Sequence, residues 1–175
     1  MELLSEILEL IKEADNIYKK VIKGNKNVEE ELRVVVDKMV SCSERLEELN
    51  MDDKDLALTI ITNFNSKIEL INLLLERDLF NPNDIGMDYL RDTMDYLEMK
   101  RFDIMNKYVM GSLIKEEIDA FGADLEAFRK RVYEVIPEDD DVLLEIAKMK
   151  SKIQHLNTEV LEDEDVLSVA YKNSN

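Results

Sequence analysis

The sequence predicts an all-α protein, and three observations support that prediction. Every long segment carries apolar residues at alternating spacings of three and four, which places them on one face of a helix. No comparable stretch alternates apolar and polar residues with the period of two typical of a strand. The 175 residues include four Gly and two Pro, too few for a chain of many tight turns. Because the connections are short, we expect an antiparallel up-down bundle of about five long helices plus a short C-terminal helix.

Apolar stripes locate the first three helices. They run Leu4, Ile7, Ile11, Ala14, Tyr18, Val21; then Val28, Leu32, Val35, Met39, Cys42, Leu46, Leu49; then Ala57, Ile61, Phe64, Ile68, Ile71, Leu75. Gly24 follows the first stripe and predicts a C-terminal cap, since Gly enters the left-handed region at little cost. Asn27, three residues before Glu30, resembles a capping box, and Asp52 or Asp53 can cap the third helix.

Three further stripes follow in the second half of the chain. They run Leu90, Met94, Leu97, Ile104, Tyr108; then Ile114, Ile118, Phe121, Leu125, Phe128, Val132; then Val142, Ile146, Met149, Ile153, Leu156, Val160. Asn81 and Pro82 predict a helix start, with Phe80 and Ile85 as its hydrophobic staple. The apolar register slips at Gly111, which predicts either a kink or a break within residues 82–136.

Residues 137–141 and the C-terminus complete the expected organisation. Pro137, with the acidic residues that follow it, predicts another helix start. This acidic span is also the one place where we consider subdividing what is otherwise a single domain over residues 1–175. Residues 162–175 are expected to form a short helix whose tail frays from about residue 172.

Composition narrows the classes of function. Forty acidic residues against 23 basic ones give a net charge of -17, which argues against nucleic-acid or anionic-membrane binding. The longest nearly apolar run, residues 68–75, is far short of a membrane span. Glu2, Glu6 and Glu9 stand where a secretory signal would carry basic residues. A single cysteine, Cys42, suits a reducing compartment, so we expect a cytoplasmic protein.

Residues for catalysis are scarce. One His and one Cys cannot complete a four-ligand zinc site, and Lys152 stands where a di-iron bundle needs a Glu before His155. The four Gly residues are isolated, which excludes a Gly-rich phosphate loop. We predict no catalytic residue and no cofactor, and we interpret His155 as a surface side chain and Cys42 as a small buried one.

An acidic row is the one candidate for metal binding. Asp84, Asp88, Asp92 and Asp95 recur at helical spacing, and carboxylates are ligands for hard divalent cations. With 40 acidic residues in the chain, such rows also arise on solvated helix faces. Metal binding is therefore a secondary hypothesis.

The fourth helix carries more apolar residues than one stripe requires. In residues 87–110, 13 of 24 residues are apolar or aromatic, and Tyr89, Tyr96, Met99 and Phe102 flank the main seam. Met-rich faces often accept partners of varied shape, so we predict that these four residues form an interaction surface. The alternative is that this helix is central and buries two faces.

The sequence thus favours a non-catalytic adaptor, regulator or assembly factor. It would act through a protein partner, or through self-association, by an apolar helix face. Two alternatives stay open. One is a bundle that binds metal or acts on phosphate esters through carboxylates. The other is an acidic mimic of nucleic acid.

Overall fold

The computed structural model describes residues 2–76 and 86–175, and these residues form seven α-helices and no strand. The helices are α1 (Glu2–Ile22), α2 (Glu29–Glu44), α3 (Met51–Glu76), α4 (Met87–Val109), α5 (Lys115–Glu134), α6 (Asp140–Leu156) and α7 (Glu164–Ser174). A 3-10 turn (Leu46–Glu48) follows α2, and a π-helical turn (Asn157–Leu161) continues α6. The all-α prediction is confirmed for the described residues.

The helices fall into two compact units, Met1–Arg77 and Asp78–Asn175. In the first unit, α1 packs against both α3 and α2, whereas α2 and α3 make few contacts with each other. In the second unit, α5 packs against α4, α6, α7 and the π-helical turn. Residues 137–141, where a subdivision was considered, lie inside the second unit. The single bundle over residues 1–175 stays a prediction.

The buried faces follow the predicted stripes closely in α2, α5 and α6, and less closely in α3. There, Ile61 and Ile68 of the predicted stripe are half-buried, while Asn63 and Lys67 lie in the interior. The Lys67 ammonium lies 3.2 Å from Oδ1 of Asp15 on α1, which compensates its charge. Because α3 is apolar on more than one side, periodicity alone does not select the face that packs against α1.

Left-handed glycines end α1 and α4. Gly111 has a φ of 68°, and its N–H donates to the carbonyl of Tyr108 at 3.0 Å. The next N–H, of Ser112, donates to the carbonyl of Lys107 at 2.8 Å, which completes a Schellman motif. The same bond pattern closes α1 at Gly24, whose φ is 94°. Residues 87–134 are therefore two helices, one long helix more than the expected five.

Helix starts were predicted with mixed success. The start after Pro137 is confirmed, because Asp139 caps α6 by accepting a hydrogen bond from the Val142 N–H at 2.9 Å. The capping box at Asn27 is wrong: the buried Val28 is the N-cap of α2 and makes no side-chain bond. The start at 81–82 and the staple of Phe80 with Ile85 lie outside the described residues.

The start of α3 is capped by a residue other than the two expected. The side chain of Asn50 accepts a hydrogen bond from the Asp53 N–H at 2.9 Å and donates one to the Asp53 carboxylate at 2.7 Å. Asp53 is thus the reciprocal partner in this cap, and Asp52 has no capping role. Asn50, Asp52 and Asp53 are all of residue types that favour N-caps, so local sequence offers three candidates for one helix start.

The C-terminal helix continues to Ser174, in contrast to the tail that was expected to fray from about residue 172. The Ser174 hydroxyl accepts a hydrogen bond from the Lys115 N–H at 2.7 Å, at the start of α5. The side-chain amide of Asn173 donates to the carbonyl of Leu113 at 3.3 Å. The tail therefore supplies bonding partners to the α4–α5 connection, a long-range role that local sequence does not reveal.

Alanine substitutions test the two glycine caps. At Gly24 and Gly111 an added Cβ meets no atom within 4 Å, so the penalty comes from the left-handed backbone alone. We expect Gly24→Ala and Gly111→Ala each to lower the free energy of unfolding by about 1 kcal/mol in urea titrations.

Gly122 on α5 provides the matched control. Its backbone is ordinary helix, and an added Cβ would lie 3.5 Å from Leu161, a normal contact. Gly122→Ala should therefore stabilise the protein by about 0.5–1 kcal/mol. Equal effects at all three positions would refute the assignment of the caps.

Candidate interaction surface

The solvent-facing side of α4 changes from charged to apolar halfway along the helix. In the first half it carries the charged residues Asp88, Arg91 and Asp95. In the second half it carries an apolar row, which we call the α4 stripe: Met99, Phe102, Met105, Val109 and Met110. Phe102 is 43% exposed and Val109 is 77% exposed, while Met99 and Met105 are half-buried. Three turns of helix therefore present apolar side chains to water.

Over the same turns, α4 places charged side chains inside. The side chains of Lys100 and Asp103 are only 6% and 9% exposed, and their charged atoms lie 3.2 Å apart. The positive charge of Lys100 also acts on Asp124 of α5. An amphipathic helix ordinarily buries residues such as Phe102 and exposes residues such as Lys100. At Lys100 and Asp103 the second half of α4 departs from that pattern, although Ile104 next to them is fully buried as expected.

The charged first half of α4 joins it to α6. The guanidinium of Arg91 donates two hydrogen bonds to Glu145, at 2.6 and 2.9 Å, and one to Asp88 at 2.8 Å. This pairing raises the pKa of Arg91 and lowers the pKa of Glu145. The polar half of the exposed side of α4 is thus bound to α6 within the second unit.

The four residues predicted for interaction divide into two pairs. Tyr89 and Tyr96 are buried, with 8% and 1% of their surface exposed, and they serve the interior of the second unit. Met99 and Phe102 belong to the α4 stripe. Met105, Val109 and Met110 also belong to this surface and are not among the four predicted residues. Extending the helical spacing from Phe102 by three, seven and eight residues would have included them.

Of the acidic row, the described residues Asp88, Asp92 and Asp95 belong to no group of side chains that could hold a metal ion. Asp84 lies outside the described residues. The Asp88 side chain is 94% exposed and binds Arg91, Asp95 is exposed and Asp92 is half-buried. Across residues 2–76 and 86–175, no three His, Cys, Asp or Glu side chains converge in a way that could hold a metal ion.

Interior carboxylates are compensated by lysines instead. Asp15 faces Lys67 between α1 and α3, and the same ammonium lies 4.5 Å from the centre of the Tyr18 ring. Glu117 of α5 accepts a hydrogen bond from Lys107 at the end of α4. Such pairs neutralise buried charges and are typical of structural networks.

His155 and Cys42 show no catalytic arrangement. The side chain of His155 is 69% exposed, and its Nε2 lies 3.3 Å from Glu159. Cys42 is buried, and its Sγ lies 3.7 Å from a carboxylate oxygen of Glu6. Burial and, second, the negative charge of Glu6 raise the pKa of the Cys42 thiol, which disfavours the nucleophilic thiolate.

Comparisons with protein-family models, with curated proteins and with solved structures find no match to this chain. Within the described ranges, no helix combines the length and the apolar character that crossing a membrane requires.

Asp124 provides a pH test of the interior charges. Burial raises its pKa to about 6, although the charge of Lys100 opposes the shift. The unfolded value is near 4, so the folded state favours the protonated carboxyl. The contribution of the protonated Asp124 carboxyl to the stability of the folded state is complete below about pH 4 and is lost as the pH rises through about 6.

We therefore expect Asp124→Asn, which stays neutral, to gain stability relative to the wild type as the pH rises from about 4 to 8. Thermal melts across this range measure the difference, with Asp55→Asn on an exposed site of α3 as the control. A difference in melting temperature that does not change with pH would contradict the burial of this carboxyl.

Proposed function

We propose that the protein acts without catalysis, by binding another protein through the α4 stripe. The observation that supports this most strongly is that α4 exposes Phe102 and Val109 while the charged Lys100 and Asp103 lie inside. The exposed part of these side chains adds little to folding, but it gains free energy when a partner covers it. Their function is therefore outside the unit that carries them.

The composition of the stripe fits a contact surface. Three of its five residues are Met, whose flexible thioether side chains adapt to partners of different shape. Phe102 is the one aromatic residue of the stripe and is flanked by Met99 and Met105 at helical spacing. A large ring among adaptable neighbours is a common form of interface anchor. We propose Phe102 as this anchor.

The two alternatives draw less support. A carboxylate-dependent enzyme needs acidic groups free to bind a cation or a substrate, whereas Asp15, Asp103 and Glu117 each face a lysine. A nucleic-acid mimic needs continuous rows of negative charge. In this protein, basic side chains interrupt such rows by forming ion pairs with acidic residues three positions away along the helices. Examples are Lys12 with Glu9, Arg33 with Glu30 and Arg129 with Glu126.

We place this activity in the cytoplasm. The single thiol, Cys42, is buried and has no second cysteine with which to form an internal disulfide. Such a chain needs no oxidising compartment for its stability.

A double substitution tests the proposal. Phe102→Ser with Val109→Ser should lower the free energy of unfolding by no more than about 1–2 kcal/mol, because Phe102 is partly and Val109 largely exposed. The same double variant should lose the protein that wild type retains in affinity capture from the native cell extract. If the partner is a second copy, sedimentation should show the loss of the oligomer.

Ile22→Ser with Val40→Ser is the matched control, since these side chains of the first unit are 51% and 53% exposed. The control should keep both the partner and the assembly state. The proposal is wrong if both double variants retain the same partner, or if the stripe variant unfolds as readily as a core variant such as Tyr96→Ala.

A further inference from the structure

The connection between α4 and α5 is bonded to the last turn of α7. We call the two residues that make these bonds, Asn173 and Ser174, the α7 latch. The side-chain amide of Asn173 donates hydrogen bonds to the carbonyls of Gly111 and Leu113, the second at 3.3 Å. The Ser174 hydroxyl accepts a hydrogen bond from the Lys115 N–H at 2.7 Å. The α7 latch therefore joins the end of α4 to the start of α5.

The Ser174 hydroxyl performs the role of an N-cap for α5. The N-cap position of α5 is Ile114, whose apolar side chain cannot accept a bond from the first N–H groups of the helix. Ser174 supplies that acceptor to Lys115 from 59 residues farther along the chain. The same hydroxyl donates to the carbonyl of Ala170 at 2.7 Å, so it is used both as donor and as acceptor. The start of α5 thus depends on α7 being in place.

The helix that carries the latch is weakly held by apolar contacts. It has 11 residues, and helices of this length are marginal in water when isolated. Its buried residues are Val166 and Ala170, each 1% exposed. With so little apolar surface in the interior, the bonds made by the α7 latch are a large part of what keeps this helix docked. Such an element opens at a lower free energy than the whole unit.

The end of the α4 stripe lies directly before the residues that the latch binds. Val109 is 77% exposed and Met110 is 38% exposed, so their side chains do little to fix the last turn of α4. The carbonyl of Gly111, the next residue, accepts a bond from Asn173. The connection beyond it is anchored by the fully buried Leu113 and by the latch. The position of the last stripe residues therefore depends on α7.

We propose that the α7 latch controls the end of the α4 stripe. While α7 is docked, Val109 and Met110 are held in place and the stripe is complete. When α7 undocks, the last turn of α4 frays, and the stripe is reduced to Met99, Phe102 and Met105. The consequence for binding rests on the proposed function: a partner that contacts Val109 favours docked α7, and docked α7 favours the partner by the same factor.

Hydrogen exchange and methyl NMR on the full chain test the latch without any partner. The latch variant is Asn173→Ala with Ser174→Ala. Amide exchange of residues 111–118 and 164–172 should become at least about fivefold faster, the factor that one lost hydrogen bond predicts. The methyl signal of Met110 should shift, while that of the buried Met149 should not. Because Ala is the better helix former, faster exchange would report lost bonds and not lower helix propensity.

Ser168→Ala with Asn175→Ala is the matched control, since it removes the same two residue types from exposed positions beside the latch. The control should leave the exchange rates and the Met110 signal unchanged. Ser174→Thr keeps a hydroxyl and should keep the Lys115 amide protected. Equal acceleration by the control, or an unchanged Met110 signal in the latch variant, would overturn the proposal.

A benzophenone side chain at position 102 measures the consequence for binding in the native cell. In the latch variant the yield of cross-linked product should fall about fivefold, the lower end of typical coupling between two sites. The control variant should give the same yield as the otherwise wild-type chain. An unchanged yield in the latch variant would overturn the control of binding by α7. Absence of product from the wild-type chain would instead contradict the proposed function, while exchange and the Met110 signal still decide the latch.

Discussion

In a unit of three or four helices, neighbouring helices cover only part of the circumference of each helix. Apolar residues on the uncovered part stay in contact with water. This limit decides which side chains are available for contact. In α4 the covered part contains Tyr96, Lys100 and Asp103, so Phe102 and Val109 are left outside. The orientation of α4 is consistent with its packing against α5, since the charge of Lys100 on α4 lowers the pKa of Asp124 on α5. The exposed stripe is thus a consequence of how the interior is built.

Each unit contains a buried lysine, and in each unit a nearby aspartate compensates the charge of that lysine. Lys67 is neutralised by Asp15 from a neighbouring helix, and Lys100 by Asp103 of its own helix. An unpaired ammonium at either place would carry a large desolvation penalty. These pairs therefore restrict which face of α3 and of α4 can be buried.

Much of the fold was predictable from the sequence, because periodicity reports a helix face directly. The stripes of α5 and α6 and the cap at Gly24 needed no tertiary information. Tertiary packing was needed to determine which face of α3 is buried and which face of α4 is exposed, since both helices have apolar residues on several sides. Tyr89 and Tyr96 show the consequence for the site: excess apolar content located the correct helix, but only packing decides that Tyr96 is inside and Phe102 outside.

The most direct measurement of the central claim is photo-cross-linking in the native cell. A benzophenone side chain replaces Phe102 in one variant and Asp95 in another, so both probes lie on the exposed side of α4. The account predicts that the probe at position 102 captures one discrete protein, or a second copy of this chain, and that the probe at position 95 does not. Identical cross-linking from both positions, or none from position 102, would contradict a contact surface at the α4 stripe.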